Sequence, residues 1–527
     1  MLDIKKVIKK YKINDEDVFL YGNIFAKIRP CFDTKQQNQK IVLVTAISPT
    51  PAGEGKTTVS IGLNDALNAI GINSIASLRE PSMGPVFGVK GGANGGGKAQ
   101  IIPKDEINFH FTGDLHAITS ANNLISSCLD NNIYWGNSLN VDIKKIIWKR
   151  VLDINDRSLR DVEITINAKK NIKYKSGFDI TVASEIMAIF CLAKNLNDLQ
   201  ERINKIIVAF DSKNKPIYVS DLGITGAIIK ILTNGKAIWP NIVQTLEGNP
   251  VLVHGGPFAN IAHGCSSIIS LNTALNLADY VVTEAGFASD LGAEKFLDIV
   301  CDVAKIKPNV IVLVVSIRSL KMHGGIKKNE LDVINISALK KGMDNLCRHI
   351  KNISAFNIPY IISINQFIND TKQEMDYLQN FFCKNNIPFS FNTAYENGGA
   401  KGANDLAKKV VELSKKETSL KPVYKLSDKL VDKIEKICKR CYGATDVKYS
   451  DDAFKKIKEF SKFDYYVCMA KTPISLTDDE KILMITKPFT IHVKDLLIAN
   501  GAKFIIVLTG NIYRMPGLPK IPEANKM

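Results

Sequence analysis

The tightest constraint in this chain is one passage. An apolar run, Ile41-Val-Leu-Val-Thr-Ala-Ile-Ser48, leads through Thr50-Pro-Ala-Gly-Glu-Gly-Lys-Thr-Thr58 into an amphipathic run beginning Val59-Ser-Ile-Gly-Leu. That order reads strand, glycine loop, helix. A loop in that place wraps backbone N–H groups around phosphates at the positive end of the helix. Lys56 brings positive charge to a transferring phosphoryl group, and the Thr57 hydroxyl is placed to ligate Mg²⁺. The usual phosphate-loop string has a glycine where this chain has Thr50, so the motif is a variant. A plain surface turn is the alternative that the string alone leaves open.

The same alternation continues along the chain. Apolar, β-branched runs recur at 72–78, 205–210, 251–254, 279–284, 309–317, 360–364 and 503–508. Helical patterns lie between several of them, as at 179–193 and 261–277. This predicts an α/β architecture with a largely parallel sheet. At 527 residues the chain is too long for one core, and two to four domains of roughly 150 residues are expected. The lysine-rich passage 408–425 is the expected domain seam.

Several function classes are disfavoured. No uncharged apolar run reaches about 18 residues, so no membrane partner is expected, and the start, Met1-Leu-Asp-Ile-Lys-Lys, lacks a secretory h-region. The 10 cysteines are scattered, which suits a reducing cytoplasm. Cys438-Lys-Arg-Cys441 has redox or zinc spacing but no second pair nearby, and reads as incidental helix cysteines. The formal net charge of +16 permits nucleic-acid binding. Its lysines are spread along the chain without interleaved aromatics, so solvated faces are the reading and no nucleic-acid partner is expected.

In open α/β sheets ligands bind beyond the carboxyl ends of the strands. Here those ends carry Arg79-Glu80-Pro81-Ser82, His254-Gly-Gly-Pro257, Glu284-Ala-Gly-Phe287, Arg318-Ser-Leu-Lys321 and Asn365-Gln-Phe367, besides the glycine loop. Their shared layout points to one composite site or two adjoining ones. Arg79, just past a strand, is suited to fork onto a carboxylate or acyl phosphate, against the alternative of a salt bridge to its neighbour Glu80. Asp114 either caps a helix or accepts N–H groups of a heterocycle. Phe287, Phe367 and Tyr395 sit in polar or glycine-rich loops, where aromatics serve as stacking surfaces; core packing is the plain alternative. His110, His116, His254 and His263 lack metal-ligand spacing and are expected to orient loops by hydrogen bonds.

Longer strings carry a resemblance. They include Arg79-Glu-Pro-Ser-Met-Gly-Pro-Val-Phe-Gly88, His110-Phe-Thr-Gly-Asp114, Gly177-Phe-Asp-Ile-Thr-Val-Ala-Ser-Glu-Ile-Met187 and Val253-His-Gly-Gly-Pro-Phe-Ala-Asn-Ile-Ala-His-Gly-Cys265. Thr283-Glu-Ala-Gly-Phe287, Lys321-Met-His-Gly-Gly325, Cys468-Met-Ala-Lys-Thr472 and Met515-Pro-Gly-Leu-Pro-Lys520 follow in order. With the 50–58 loop, the chain resembles the formate–tetrahydrofolate ligases along almost its full length.

The resemblance implies a cytoplasmic enzyme that ligates formate to tetrahydrofolate with ATP through formyl phosphate, giving 10-formyltetrahydrofolate, ADP and phosphate. It implies Lys56 and Arg79 as catalytic residues. ATP would contact Thr50, Pro51, Ala52, Gly53, Glu54, Gly55, Lys56, Thr57 and Thr58, with Thr57 helping to hold Mg²⁺. Folate would contact Glu80, Asp114, Phe287, Phe367 and Tyr395. A monovalent cation (K⁺ or NH₄⁺) and a homotetramer are further implications. So is a P-loop-type, mostly parallel sheet domain with two smaller α/β domains, divided as 1–335, 336–422 and 423–527. The chain departs from the family pattern at Lys98, where a tyrosine follows the three glycines, and at Tyr395-Glu-Asn-Gly-Gly399, which aligns with Trp-Ala-Lys-Gly-Gly. Phe367-Ile368 stands where the family has Phe-Pro. Two other classes stay in view: a switch ATPase indifferent to formate, and an inert relative kept for assembly or for binding nucleic acid through its positive charge.

Overall fold

The computed structural model describes residues 3–32, 37–51, 53–90, 94–485, 487–510 and 512–527. Its centre is one twelve-stranded sheet. In chain order its principal strands are β1 (Val18–Tyr21), β2 (Phe25–Ile28), β3 (Lys40–Ala46), β4 (Ser74–Leu78) and β5 (Asn241–Thr245). They continue with β6 (Pro250–Val253), β7 (Tyr280–Glu284), β8 (Val310–Val315), β9 (Tyr360–Asn365) and β10 (Phe389–Asn392). Across the sheet the order is β1-β2-β5-β6-β4-β7-β3-β8-β9-β10. From β6 to β10 every pairing is parallel, while β1, β2 and β5 add an antiparallel edge.

Parallel strands buried on both faces read as unbroken apolar runs, and β8, Val-Ile-Val-Leu-Val-Val, is buried at every position. Alternate side chains feed two cores. Ile41 and Leu43 of β3 join the larger one, and Val42 and Val44 join a second beneath α1 (Lys56–Ala69). The parallel arrangement brings the carboxyl ends of seven strands to one edge, and the 50–58 loop leaves β3 in the middle of it.

The expected runs become strands, but two leave the main sheet. The 205–210 run gives Ile207–Asp211, antiparallel in a three-stranded sheet. The 503–508 run gives Phe504–Thr509, in a four-stranded sheet with Asp446–Tyr449, Tyr466–Ala470 and Thr490–Ala499. Strands β9 and β10 extend the main sheet, so the expected division at 335 passes between strands of one sheet. The seam at 408–425 falls where Asn404–Leu413 ends and the segment leading to the four-stranded sheet begins. No helix among the described residues is long and apolar enough to cross a membrane.

Candidate functional site

The glycine loop holds its shape through its own side chains. Gly53 and Gly55 have φ of +78° and +76°, in the left-handed region that only glycine enters freely. A Cβ on Gly55 would also strike the Asn365 amide, which reaches from the end of β9 to donate to the Glu54 carbonyl at 3.1 Å. Glu54 braces the loop from inside. Its Oε1 accepts the Thr50 N–H at 2.7 Å and the Thr50 hydroxyl at 3.0 Å. The residue that makes this string a variant is therefore a working part of the turn. Burial pushes the Glu54 carboxyl up to about 7, against the opposing pull of the Thr50 bonds and the Lys56 charge. Pro51 is exposed. Ala52 lies outside the described residues.

Helix α1 starts at Lys56 with no side-chain cap. An uncapped helix N-terminus of this kind is suited to receive an anion. Lys56 Nζ donates to the Phe287 carbonyl at 2.6 Å, and the Thr57 hydroxyl donates to Glu284 Oε2 at 2.9 Å. Thr58 is buried in the first turn. Glu284 ends β7, the strand beside β3. Sequence reading placed it at a strand end without giving it a role. The Thr57 hydroxyl and Glu284 carboxylate form a hard oxygen pair of the kind Mg²⁺ prefers.

Arg79 follows β4 on the other side of β7. Its NH1 donates to the Pro257 carbonyl at 3.3 Å, and its NH2 lies 3.8 Å from Glu284 Oε1. The buried Arg79 Nε has no partner among the described residues. The salt bridge considered for Arg79 thus goes to Glu284, not to the adjacent Glu80. Arg79, Glu80, Pro81, Phe258, Glu284 and Phe287 line a cavity of about 120 Å³. Phe287 is held there at φ +58°, an uncommon conformation for a side chain of its bulk.

Glu80 is buried, with Oε2 lacking a partner. Burial and the neighbouring Asp114 push its carboxyl well above the usual range, and Lys27 opposes them. Asp114 opens the helix α2 (Asp114–Tyr134) but is no simple cap. It is 1% exposed and fully engaged. Lys27 Nζ donates to its two oxygens at 2.7 and 2.9 Å, and Asn241 Nδ2 donates at 2.9 Å. Lys27 itself is wholly buried, from β2. Its only sequence signal was a lysine inside a short apolar run.

The other two aromatics lie beyond β3 in the opposite direction. Phe367 follows β9 and lies under the Arg318 guanidinium, 5.3 Å from the ring centroid. Tyr395 follows β10 and is half exposed. Its carbonyl accepts the Lys98 N–H at 2.8 Å, and its ring lies against Gly96 and Gly97. Two of the three departures from the resemblance, Lys98 and Tyr395, are therefore bonded neighbours.

The histidines divide. His254 is buried between Ser267 Oγ at 2.6 Å and the Ala237 carbonyl at 2.8 Å, and burial lowers it to about 4. His263 is buried with neither ring nitrogen hydrogen-bonded among the described residues, so packing rather than hydrogen bonding holds it there. His110 and His116 are exposed. Sequence reading missed His349, which accepts the Ser48 N–H at 2.9 Å just before the loop. Cys438 and Cys441 are both buried, and burial pushes their thiols up, which leaves them inert. Among the described residues no cluster of His, Cys, Asp and Glu makes a metal site.

The arrangement can receive a polyphosphate on the loop, a hard cation beside Thr57 and Glu284, and a small carboxylate at Arg79. Comparison with protein-family models matches this chain to the family described as Formate–tetrahydrofolate ligase, over residues 1–527.

Proposed function

The chain belongs to the formate–tetrahydrofolate ligase family, and from that premise we propose how its strand-end residues divide the work. The reaction is ATP-dependent ligation of formate to tetrahydrofolate, giving 10-formyltetrahydrofolate. Formate is a poor acyl donor, because its carboxylate oxygen is a poor leaving group. A formate oxygen attacks the γ-phosphorus of ATP and ADP departs, leaving formyl phosphate. The folate N10 amine then attacks the formyl carbon, phosphate leaves, and the amine gives up its proton.

The first step is phosphoryl transfer, in which positioning and charge neutralisation dominate. Residues 50–58 cradle the phosphates, with Lys56 drawn from the Phe287 carbonyl onto the transferring group. Thr57, beside Glu284, would hold Mg²⁺. When bound, the metal neutralises charge on the phosphate oxygens. Arg79 holds formate and then formyl phosphate, its guanidinium facing two oxygens. Its place in the wall of the cavity, together with Glu284 and Phe287, is the observation that carries this reading. Glu80 faces folate from the same cavity, with Asp114 behind it. Phe287, Phe367 and Tyr395 offer aromatic faces to the two ring systems.

A homotetramer and stimulation by K⁺ or NH₄⁺ belong to the same reading; of the parts 1–335, 336–422 and 423–527, the second shares the main sheet with the first. No residues are assigned to the monovalent cation, and no step uses it. The intermediate is tested with ¹⁸O-labelled formate. Transfer of one label to inorganic phosphate is expected; unlabelled phosphate would exclude formyl phosphate.

A further inference from the structure

Glu284 holds both halves of the site at once. Its Oε2 takes the Thr57 hydroxyl at 2.9 Å, and its Oε1 stands 3.8 Å from Arg79 NH2. The carboxylate is buried, with a side chain only 6% exposed. Arg79 has no other ion pair among the described residues, and its buried Nε is unsatisfied. Glu284 presents to Arg79 the same chemical group as formate, a carboxylate. In this arrangement it competes with formate for the guanidinium, and its charge repels both formate and the phosphates.

We propose that Glu284 is a positioning residue that links the metal end of the nucleotide site to Arg79, so that the formate clamp is freed only when Mg-nucleotide engages Thr57 and Glu284. This rests on the phosphate-loop reading above. Once its charge is shared with a divalent cation, the carboxylate no longer competes for Arg79. The segment just beyond Glu284 carries a matching contact, because the Phe287 carbonyl accepts Lys56 at 2.6 Å. Phosphate binding draws Lys56 off that carbonyl, and Phe287 lines the Arg79 cavity. The Lys56 and Thr57 contacts to the end of β7 therefore exchange on the same event. The consequence is positive coupling: Mg-nucleotide tightens formate binding, and formate tightens Mg-nucleotide by the same factor.

The test is equilibrium binding of the β,γ-imido analogue of ATP to the full chain, with and without Mg²⁺ and formate. In the wild type Mg²⁺ should tighten the analogue about 10-fold or more, and formate should tighten it further only with Mg²⁺ present. In Glu284→Gln the metal-free analogue should bind more tightly, the Mg²⁺ gain should fall below about threefold, and the formate coupling should vanish. Thr57→Val should lose the Mg²⁺ gain as well, which keeps the test open if Glu284→Gln does not fold. Lys56→Ala separates the two readings. Wild-type analogue affinity in Lys56→Ala would overturn the phosphate-loop reading itself. Lost affinity in Lys56→Ala, with Mg²⁺ gain and formate coupling intact in both Glu284→Gln and Thr57→Val, would overturn the linkage alone.

Discussion

Two of the buried carboxylates at this edge of the sheet are held in opposite ways. Asp114 receives both its oxygens' bonds from Lys27 at 2.7 and 2.9 Å, with Asn241 added at 2.9 Å. Glu284 has one hydroxyl at 2.9 Å and a guanidinium at 3.8 Å, and it borders a cavity. Burial does not distinguish them; completeness of partners does. A saturated buried pair resists exchange of partners, because any exchange exposes an uncompensated charge. A half-satisfied carboxylate beside a cavity can change partners when a ligand arrives.

The sharpest way to break that contrast is on the exchangeable side. Lys56→Ala should lower turnover by about a thousandfold or more, since the lysine carries charge stabilisation in phosphoryl transfer. Its thermal midpoint should stay near the wild type. A midpoint that falls with activity would make Lys56 a structural residue. The locked side should fail the other way. Lys27→Met leaves Asp114 buried and unpaired, at a cost of about 3–5 kcal/mol in stability, read from denaturant midpoints. Unchanged stability would show that Asp114 is not held by Lys27.

A pH series sharpens the comparison within the loop. Glu54 titrates at about 7 in the folded chain against 4.5 unfolded. Folding therefore favours its protonated form, and that contribution is present below about 4.5 and lost as pH rises through about 7. Glu54→Gln stays neutral and keeps an acceptor for Thr50. Its stability relative to the wild type should rise between pH 5 and 8, by about 3 kcal/mol at most. A difference that does not change with pH would contradict a buried, neutral Glu54. Arg79→Lys replaces a two-pronged donor with a point charge, so KM for formate should rise about 10- to 100-fold while KM for ATP moves little. Equal changes in both would place Arg79 on the nucleotide. Smallest of all, Tyr395→Trp enlarges a stacking face and should lower KM for tetrahydrofolate about two- to threefold. An effect on ATP instead would assign Tyr395 to the nucleotide.

Much of this was legible in the sequence because parallel strands buried on both faces leave long apolar runs, as β8 does, and because loops at their ends carry the polar residues. The glycine loop, Arg79 and Glu80 all sit at such ends. What was not legible depends on pairing at a distance. Nothing local marks β9 as part of the main sheet, since its register with β8 joins Tyr360 to Ile311. Lys27 stands inside a short apolar run, but its partner lies 87 residues away. Glu284 was visible at a strand end, but only the fold brings Thr57 to one of its oxygens and Arg79 near the other. The Thr50 departure read as a weakness in the motif until Glu54 proved to bind it. His263 shows the reverse: a polar residue in a glycine-rich string turned out to be held by packing, with no hydrogen bond to either ring nitrogen among the described residues.

The most direct test of the whole account follows ADP and 10-formyltetrahydrofolate formation by the purified chain with Mg-ATP, leaving out formate or tetrahydrofolate in turn. The account predicts equal amounts of both products when all three substrates are present, and little ADP when formate is withheld. ADP released at the same rate without formate would contradict it and make the glycine loop the centre of a switch ATPase.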